Sequence, residues 1–207
     1  MDMTQEREKV IRQLIEKVKQ ENNGEYLDFA IPGFLAKGII GYQSMRADLQ
    51  LMISACEILS SANLHPTIVA SLWHTIIGAY GKCFTDAKSA KHPKLEPSEC
   101  FAKDNIKFLE AHTEIMELRH NFIAHRGSTD EEIGIGIVRM NIETLQRQIK
   151  VKQIKRIKPS SEKLQSYIKL FNFLLIVVET KYEVSANKIA KYLVEAFTAK
   201  ELAMMRI

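Results

Sequence analysis

The segment Ile115–Gly127, IMELRHNFIAHRG, places a polar cluster inside an apolar pattern of helical period, and it constrains the fold more than any other stretch. One row of side chains, spaced three or four residues apart, comprises Phe108, Ala111, Ile115, Leu118, Phe122 and then His125. A second row comprises Ile106, Leu109, Thr113, Met116, His120 and Ile123. Both histidines continue rows that a helix normally buries, directly before a stop signal at Arg126-Gly127. The pattern predicts one long amphipathic helix from Ser98 to near Arg126.

Arg119 and His125 combine two residue types that suit phosphate chemistry. Histidine exchanges protons near neutral pH because its ordinary pKa is about 6.5. The planar guanidinium of arginine stays charged and fits a phosphate. Cleavage of RNA by its own 2′-hydroxyl needs a base, an acid and a cation on the phosphate. For His120 an ordinary role as a core or interface histidine stays open, and His112, which has no special neighbours, is expected at the solvent edge.

The spacing of Arg119 and His125 raises a geometric problem. Six residues of straight α-helix separate two side chains by about 120° around the axis and roughly 9 Å along it. The two residues of one chain therefore do not converge on one phosphate unless the helix unwinds near Gly127. A two-fold axis beside the helix would instead bring two arginines and two histidines into one cleft. From the spacing alone, local unwinding of the helix and a homodimer both stay open.

The sequence LRHNFIAHRG at 118–127 resembles the R-x(4–6)-H motif of the HEPN superfamily. The likeness includes a polar residue directly after the arginine and a small residue before the histidine. The surrounding sequence is similar to HEPN-like proteins associated with abortive infection over roughly residues 47–182. The resemblance implies an antiparallel helical bundle that dimerises through its motif helices.

The same resemblance implies a metal-independent endoribonuclease of the toxin–antitoxin or phage-defence kind. Its substrate would be RNA, it would use no cofactor, and an antitoxin protein would be a further partner. Arg119 and His125 would form the catalytic pair. His120 would occupy the polar position after the arginine as a third catalytic residue, and Asn121 would support them.

Apolar periodicity predicts further helices at about 4–22, 44–62, 66–85, 161–182 and 185–204. Pro66 lies at a first helical position, and Ser185 is expected to cap the last helix. Inward positions include Leu49, Met52, Cys56, Leu59, Ile68, Trp73, Ile76, Ile77, Tyr80, Leu164, Tyr167, Phe171, Leu174 and Val178. Alternation of apolar residues predicts a β-hairpin over about 131–158. The fold class is therefore mainly α, a HEPN-like antiparallel helical bundle with a small β-hairpin insertion.

The chain is expected to divide into an N-terminal segment, 1–43, and the bundle, 44–207. The helix at 4–22 has one apolar face, which we expect to pack within its own chain. Residues 25–42 are interpreted as an ordered loop on the core, because several glycines punctuate an apolar sequence that is unsuited to a free linker.

The second strand of the predicted hairpin is basic. Its cationic side chains are Lys150, Lys152 and Lys155, followed by Arg156. Lysines that alternate along a two-stranded ribbon are usually a solvated edge that resists aggregation. Under the ribonuclease interpretation these residues, together with Arg126, are candidates for contact with the RNA backbone.

Composition and motifs exclude several other classes. The chain has 46% hydrophobic and 26% charged residues and a net charge of +4, which permits a nucleic-acid partner without indicating one. Three widely spaced cysteines with no expected signal peptide predict reduced thiols in a cytoplasmic protein. The longest apolar run, Leu170–Val178, is too short to span a bilayer. Neither GAYGK at 78–82 nor GIGIV at 134–138 has the full pattern of a nucleotide-binding loop, and the spacing of metal ligands is absent.

Two other functions stay open from the sequence. A non-catalytic HEPN-like module would bind nucleotide, RNA or another protein, with Arg119 and His125 holding the helices together. A plain helical interaction protein would contain the motif by coincidence. Loss of RNA cleavage without loss of folding, in variants of the pair, separates the ribonuclease from both alternatives.

Overall fold

A computed structural model of the chain describes residues 3–22, 28–61, 63–86, 92–124, 132–155, 158–204 and 206. Its α-helices are α1 (Met3–Glu21), α2 (Gly33–Ser60), α3 (Pro66–Phe84), α4 (Pro97–Cys100), α5 (Leu109–Leu118), α6 (Ser161–Ala196) and α7 (Ala199–Met204). A 3₁₀ helix, Lys103–Phe108, precedes α5, and a π-helix, Arg119–Ala124, follows it. Two antiparallel strands are β1 (Glu132–Met140) and β2 (Arg147–Lys155). The prediction of a mainly helical fold with a small β-hairpin is confirmed. Within the ranges described, none of the helices has both the length and the apolar character that a bilayer span requires.

The chain folds into two units, Met1–Ile39 with Glu183–Ile207, and Ile40–Tyr182. The first unit contains α1, the start of α2, the end of α6 and α7. An isolated antiparallel bridge joins the backbones of Phe29 and Arg206 in this unit. The second unit contains the remaining helices, the β-hairpin and every described residue of the motif.

The apolar face of α1 is largely uncovered. Val10, Ile11, Leu14 and Val18 keep between 40% and 58% of their surface exposed. The expectation that this face packs within its own chain is therefore wrong for these four residues. Helical period determines which side chains share a face, but it does not determine what covers that face.

The loop expected at 25–42 is helical from Gly33 onward, which corrects the prediction. The carbonyl of Pro32 accepts hydrogen bonds from the backbone N–H groups of Leu35 and Ala36, and these bonds start α2. The glycines of this segment were interpreted as loop residues, but Gly41 lies inside α2 and allows close packing. A Cβ on Gly41 would overlap the ring of Pro93, so glycine allows α2 and this proline to approach closely.

We expect Gly41→Ala to lower the free energy of unfolding by about 1–2 kcal/mol, because the new methyl group overpacks a rigid ring. The matched control is Gly38→Ala in the same helix, where a Cβ meets nothing within 4 Å. This control should be neutral or should stabilise the helix by up to about 1 kcal/mol, since alanine is the better helix former. Urea unfolding measures both effects, and equal stability of the two variants would contradict the packing role of Gly41.

The core of the second unit lies among α2, α3, α5 and α6. Its most deeply buried side chains include Leu49, Met52, Cys56, Leu59, Trp73, Ile76, Ile77, Tyr80, Ile115, Leu164, Tyr167, Phe171, Leu174 and Val178. These inward positions were predicted from the helical period, whereas Ile68 is half exposed. Pro66 begins α3 as predicted, and Nδ1 of His65 caps the helix by accepting from the backbone N–H of Thr67 at 3.3 Å.

The cysteines of the second unit, Cys56, Cys83 and Cys100, are buried and free. Burial raises the pKa of Cys56 and of Cys83 to about 12 and raises the pKa of Cys100. All three are therefore protonated near neutral pH and behave as small apolar side chains.

The break expected between two C-terminal helices is absent, because α6 continues from Ser161 to Ala196. Ser185 lies inside it and caps no helix; the sequence around this residue has no glycine or proline to stop the helix. The separate last helix is α7, and a capping box starts it. The backbone N–H of Glu201 donates to Oγ1 of Thr198 at 3.3 Å, and the backbone N–H of Thr198 donates to Oε2 of Glu201 at 2.8 Å.

The single long helix predicted from Ser98 to near Arg126 is instead four segments: α4, the 3₁₀ helix, α5 and the π-helix. The ring centroids of Phe101 and His112 lie 4.6 Å apart. A continuous α-helix would place residues eleven positions apart about 16 Å from each other along its axis. The chain therefore turns back after α4, and Lys103 adopts a φ of 48° at this turn. The free energy gained by burying the Phe101 ring in the core therefore exceeds the cost of interrupting the helix.

The hairpin pairs Glu132 with Lys155 at one end and Met140 with Arg147 at the other. Residues 141–146 connect the strands, and the side-chain oxygen of Asn141 accepts from the backbone N–H groups of Glu143 and Thr144. The described side chains of both strands are exposed. The hairpin predicted at about 131–158 is thus confirmed within the residues described.

Candidate active site

Arg119 stands where α5 gives way to the π-helix. Its backbone N–H donates to the carbonyl oxygens of both Ile115 and Met116. In a π-helix the hydrogen bonds join residues i and i+5, so each turn is wider than in an α-helix. Such turns are rare in proteins, and those that occur often lie at functional sites. The straight-helix spacing calculated for Arg119 and His125 therefore does not apply beyond Leu118. His125 and Arg126 lie outside the described residues.

The side chain of Arg119 crosses α3 at Gly81. A Cβ on Gly81 would overlap Cδ and Nε of Arg119. Gly81 is buried, and Arg119 is partly buried. The absence of a side chain at Gly81 therefore provides the path along which the arginine reaches its position.

Arg119 reaches the wall of a cavity of about 410 Å³ within the second unit. The lining residues are Ile40, Gly41, Ser44, Met45, Asp48, Gly78, Lys82, Thr85, Asp86, His92, Pro93 and Arg119. They come from α2, from α3 with the two residues after it, from the segment before α4 and from the start of the π-helix. The volume lies within the range of sites that hold small molecules, about 300–1,000 Å³.

Four charged side chains line this cavity, and two of them neutralise each other. Nζ of Lys82 and Oδ2 of Asp48 form an ion pair at 2.7 Å. Arg119 and Asp86 make no ion pair or hydrogen bond with any residue in the part of the chain that the structure describes. The cavity wall therefore carries one uncompensated cation and one uncompensated anion.

The other motif residues in the described part do not line the cavity. His120 and Asn121 are both exposed, and neither belongs to the cavity wall. The prediction that His120 continues a buried row is wrong: Ile106 is 64% exposed and Leu109 is 39% exposed in the same row. The row on the other face of α5 is buried at Ile115 and Leu118, as predicted.

The basic residues of β2 form a surface of their own. Lys152 pairs with Ile135 and Lys150 with Ile137, so the two lysines share one face of the hairpin. Both are exposed, and neither lines the cavity. Lys155 lies opposite Glu132 in the register, and Arg156 lies outside the described residues.

His112, expected at the solvent edge, is buried with 7% of its surface exposed. Its Nδ1 lies 2.7 Å from the hydroxyl of Tyr80, and its ring contacts those of Phe84 and Phe101, each with a centroid separation of 4.6 Å. Burial lowers the pKa of His112 and raises the pKa of Tyr80. Both groups are therefore neutral near pH 7, and they share one buried hydrogen bond. The sequence contained a signal, since the residues four before and three after His112 are Phe108 and Ile115.

Sequence reasoning missed most of the cavity wall. The stretch Gly78–Lys82 was not interpreted as a phosphate-binding loop, and it is helical, as part of α3. It nevertheless supplies Gly78 and Lys82 to the cavity and Gly81 to the path of Arg119. Asp48 and Asp86 belong to no sequence motif that identifies them as site residues. The tertiary fold brings these residues together from separate parts of the chain, and no local pattern encodes that arrangement.

Among the residues described, no three histidine, cysteine, aspartate or glutamate side chains are grouped so that they could hold a metal ion. Comparisons of the chain with protein-family models, with curated proteins and with solved structures find no match. The chemistry of the site must therefore be inferred from its own residues and from the motif.

Proposed function

We propose that the protein is a metal-independent endoribonuclease of the HEPN type, which acts in the cytoplasm as a homodimer in a toxin–antitoxin or phage-defence system. The observation that supports this most is the uncompensated guanidinium of Arg119 at the wall of an open cavity. Such a group is ready to bind an anion, and arginine matches the geometry of a phosphate.

In the proposed reaction the 2′-oxygen of RNA attacks the adjacent phosphorus, and the bond from phosphorus to the 5′-oxygen breaks. The products are a 2′,3′-cyclic phosphate and a 5′-hydroxyl. His125 takes the proton from the 2′-hydroxyl or gives one to the leaving 5′-oxygen. Arg119 stabilises the negative charge that grows on the phosphate oxygens. His120 shares the proton transfer or orients the pair, and Asn121 supports it.

Preorganisation favours Arg119 for this role. A cation stabilises a transition state best when it is already held in place before reaction. Gly81 gives the arginine stem a defined path across α3, and the guanidinium forms no ion pair with a carboxylate of the described residues.

The dimer and the RNA contacts complete the proposal. In the proposed homodimer the motif helices of two copies lie beside a two-fold axis, so that both copies contribute arginine and histidine to one cleft. The lysines on one face of the hairpin, Lys150 and Lys152, bind the RNA backbone, together with Arg126, Lys155 and Arg156. An antitoxin protein is the expected regulator.

The test is cleavage of total RNA by the purified protein in the presence of EDTA. We expect fragments that end in 2′,3′-cyclic phosphate and begin with a 5′-hydroxyl. The variant His125→Ala, purified in the same way, should be inactive, which distinguishes the protein from a contaminating ribonuclease. No cleavage by a correctly folded dimer, or equal cleavage by the variant, would overturn the proposal.

One observation favours a second candidate function, a non-catalytic HEPN-like module that binds a nucleotide, RNA or a protein. The cavity wall holds Arg119 but neither His120 nor Asn121, so it has binding groups without the neighbouring proton-transfer candidate. In that case the same assay detects no cleavage, while substitution of Arg119 weakens binding or dimerisation.

A further inference from the structure

The cavity at Arg119 is chemically two-sided. Arg119 can bind an anion, whereas the carboxylate of Asp86 can only accept hydrogen bonds when ionised. Neither group has a partner within the described residues. A ligand that satisfies both must carry a negative charge and a separate edge of hydrogen-bond donors.

The remaining wall supplies apolar surface and an exposed imidazole. Ile40, Met45 and Pro93 supply apolar surface, and the imidazole of His92 is of the type on which nucleobases stack. Asp48 is already paired with Lys82, so Asp86 is the carboxylate of the cavity wall that is available to accept hydrogen bonds from a ligand. A cavity of about 410 Å³ falls within the range for small-molecule sites.

Donor groups on the base decide which nucleotide fits. The Watson–Crick edge of guanine presents N1–H and the N2 amino group side by side, which matches the two oxygens of a carboxylate. Adenine and cytosine each present one amino group next to an acceptor nitrogen. Uracil presents one N–H between two carbonyl oxygens, which a carboxylate repels. Only guanine offers two adjacent donors to one acidic side chain.

We propose that this cavity binds one guanine nucleotide of the RNA substrate, with Asp86 accepting from N1–H and the N2 amino group and Arg119 binding the adjoining phosphate. The proposal rests on the proposed ribonuclease function for the identity of the substrate. It adds a base preference that Asp86, outside the motif, determines.

The test measures binding of mononucleotides, which requires no cleavage. Calorimetric titration of the full chain with 3′-GMP, 3′-IMP, 3′-AMP, 3′-CMP and 3′-UMP should show 3′-GMP bound about 10-fold or more tightly than each of the others. Inosine differs from guanosine only by loss of the N2 amino group, so 3′-IMP tests the contact without any protein variant. Asp86→Asn should reduce the preference for 3′-GMP to within about threefold. The matched control, Asp104→Asn, removes an exposed carboxylate outside the cavity and should keep the preference.

The outcomes separate this inference from the ribonuclease proposal. Preference for 3′-GMP that depends on Asp86, together with cleavage next to guanosine, supports both. The same preference without any cleavage supports the guanine site and overturns the ribonuclease. Cleavage without base preference, or a preference that Asp86→Asn leaves unchanged, overturns the guanine site alone. Equal or undetectable binding of all five nucleotides by the folded protein also overturns it.

Discussion

Replacement of Arg119 by alanine is expected to lower the rate of RNA cleavage about 100- to 1,000-fold, the usual effect of removing one group that stabilises charge in a transition state. The fold should remain, because Arg119 is only partly buried and makes no ion pair with the described residues. We expect the free energy of unfolding to change by no more than about 1 kcal/mol. Single-turnover cleavage with EDTA present gives the rate, and urea unfolding gives the stability.

A second variant tests whether the position of Arg119 matters as well as its charge. Gly81→Ala keeps the arginine but places a methyl group on the path of Cδ and Nε, so the guanidinium must move. We expect cleavage to fall at least about tenfold, while the free energy of unfolding falls by no more than about 1–2 kcal/mol, because the better helix propensity of alanine offsets part of the cost of displacing the arginine stem. Gly38→Ala, with nothing near its new methyl group, is the control and should cleave normally. Full activity of the Arg119→Ala protein would remove this residue from the mechanism. Full activity of Gly81→Ala alone would show that the crossing at Gly81 does not position it.

Helical period predicted the buried faces of α2, α3 and α6 because each lies against a core on one side only. Leu49, Trp73 and Phe171 all fall on the predicted rows and are buried. The same rule failed at α1 and at the row that contains His120. Each has a row of apolar side chains at helical spacing, but no other segment that the structure describes packs over the exposed members of that row. Local pattern determines the face of a helix, whereas burial depends on partners that the pattern does not contain.

The candidate site was predictable only in part, for two physical reasons. Arg119 was identified from the motif, but the change from α-helix to π-helix at this residue was not predicted. Its neighbours Asp48 and Asp86 come from distant parts of the chain and share no motif with it. One glycine was also misinterpreted: Gly41 sits inside α2, where Pro93 comes close, rather than in a loop. A glycine at a close approach and a glycine at a turn cannot be distinguished without the tertiary contact.

The buried pair of Tyr80 and His112 supports the largest expected change in stability. His112→Ala should lower the free energy of unfolding by about 3–4 kcal/mol, because it leaves a cavity among aromatic rings and leaves the buried Tyr80 hydroxyl without its hydrogen-bond partner. His112→Phe keeps an aromatic ring at this position and removes the hydrogen bond to Tyr80, so we expect a loss of about 1–3 kcal/mol. Adding Tyr80→Phe to His112→Phe should restore part of that loss, because no buried hydroxyl then remains.

The same pair predicts how stability depends on pH. Burial lowers the pKa of His112 in the folded chain, so the unfolded chain binds a proton at higher pH than the folded chain does. The stability contributed by the neutral imidazole is present above the ordinary histidine pKa of about 6.5 and is lost as pH falls toward the folded-state pKa. The slope from this one group is at most about 1.4 kcal/mol per pH unit. Urea unfolding between pH 7.5 and pH 5 should show this slope in the original chain and in His120→Gln, since His120 is exposed. His112→Phe should show a smaller slope, and an identical pH dependence in His112→Phe would mean that His112 is not the group that titrates.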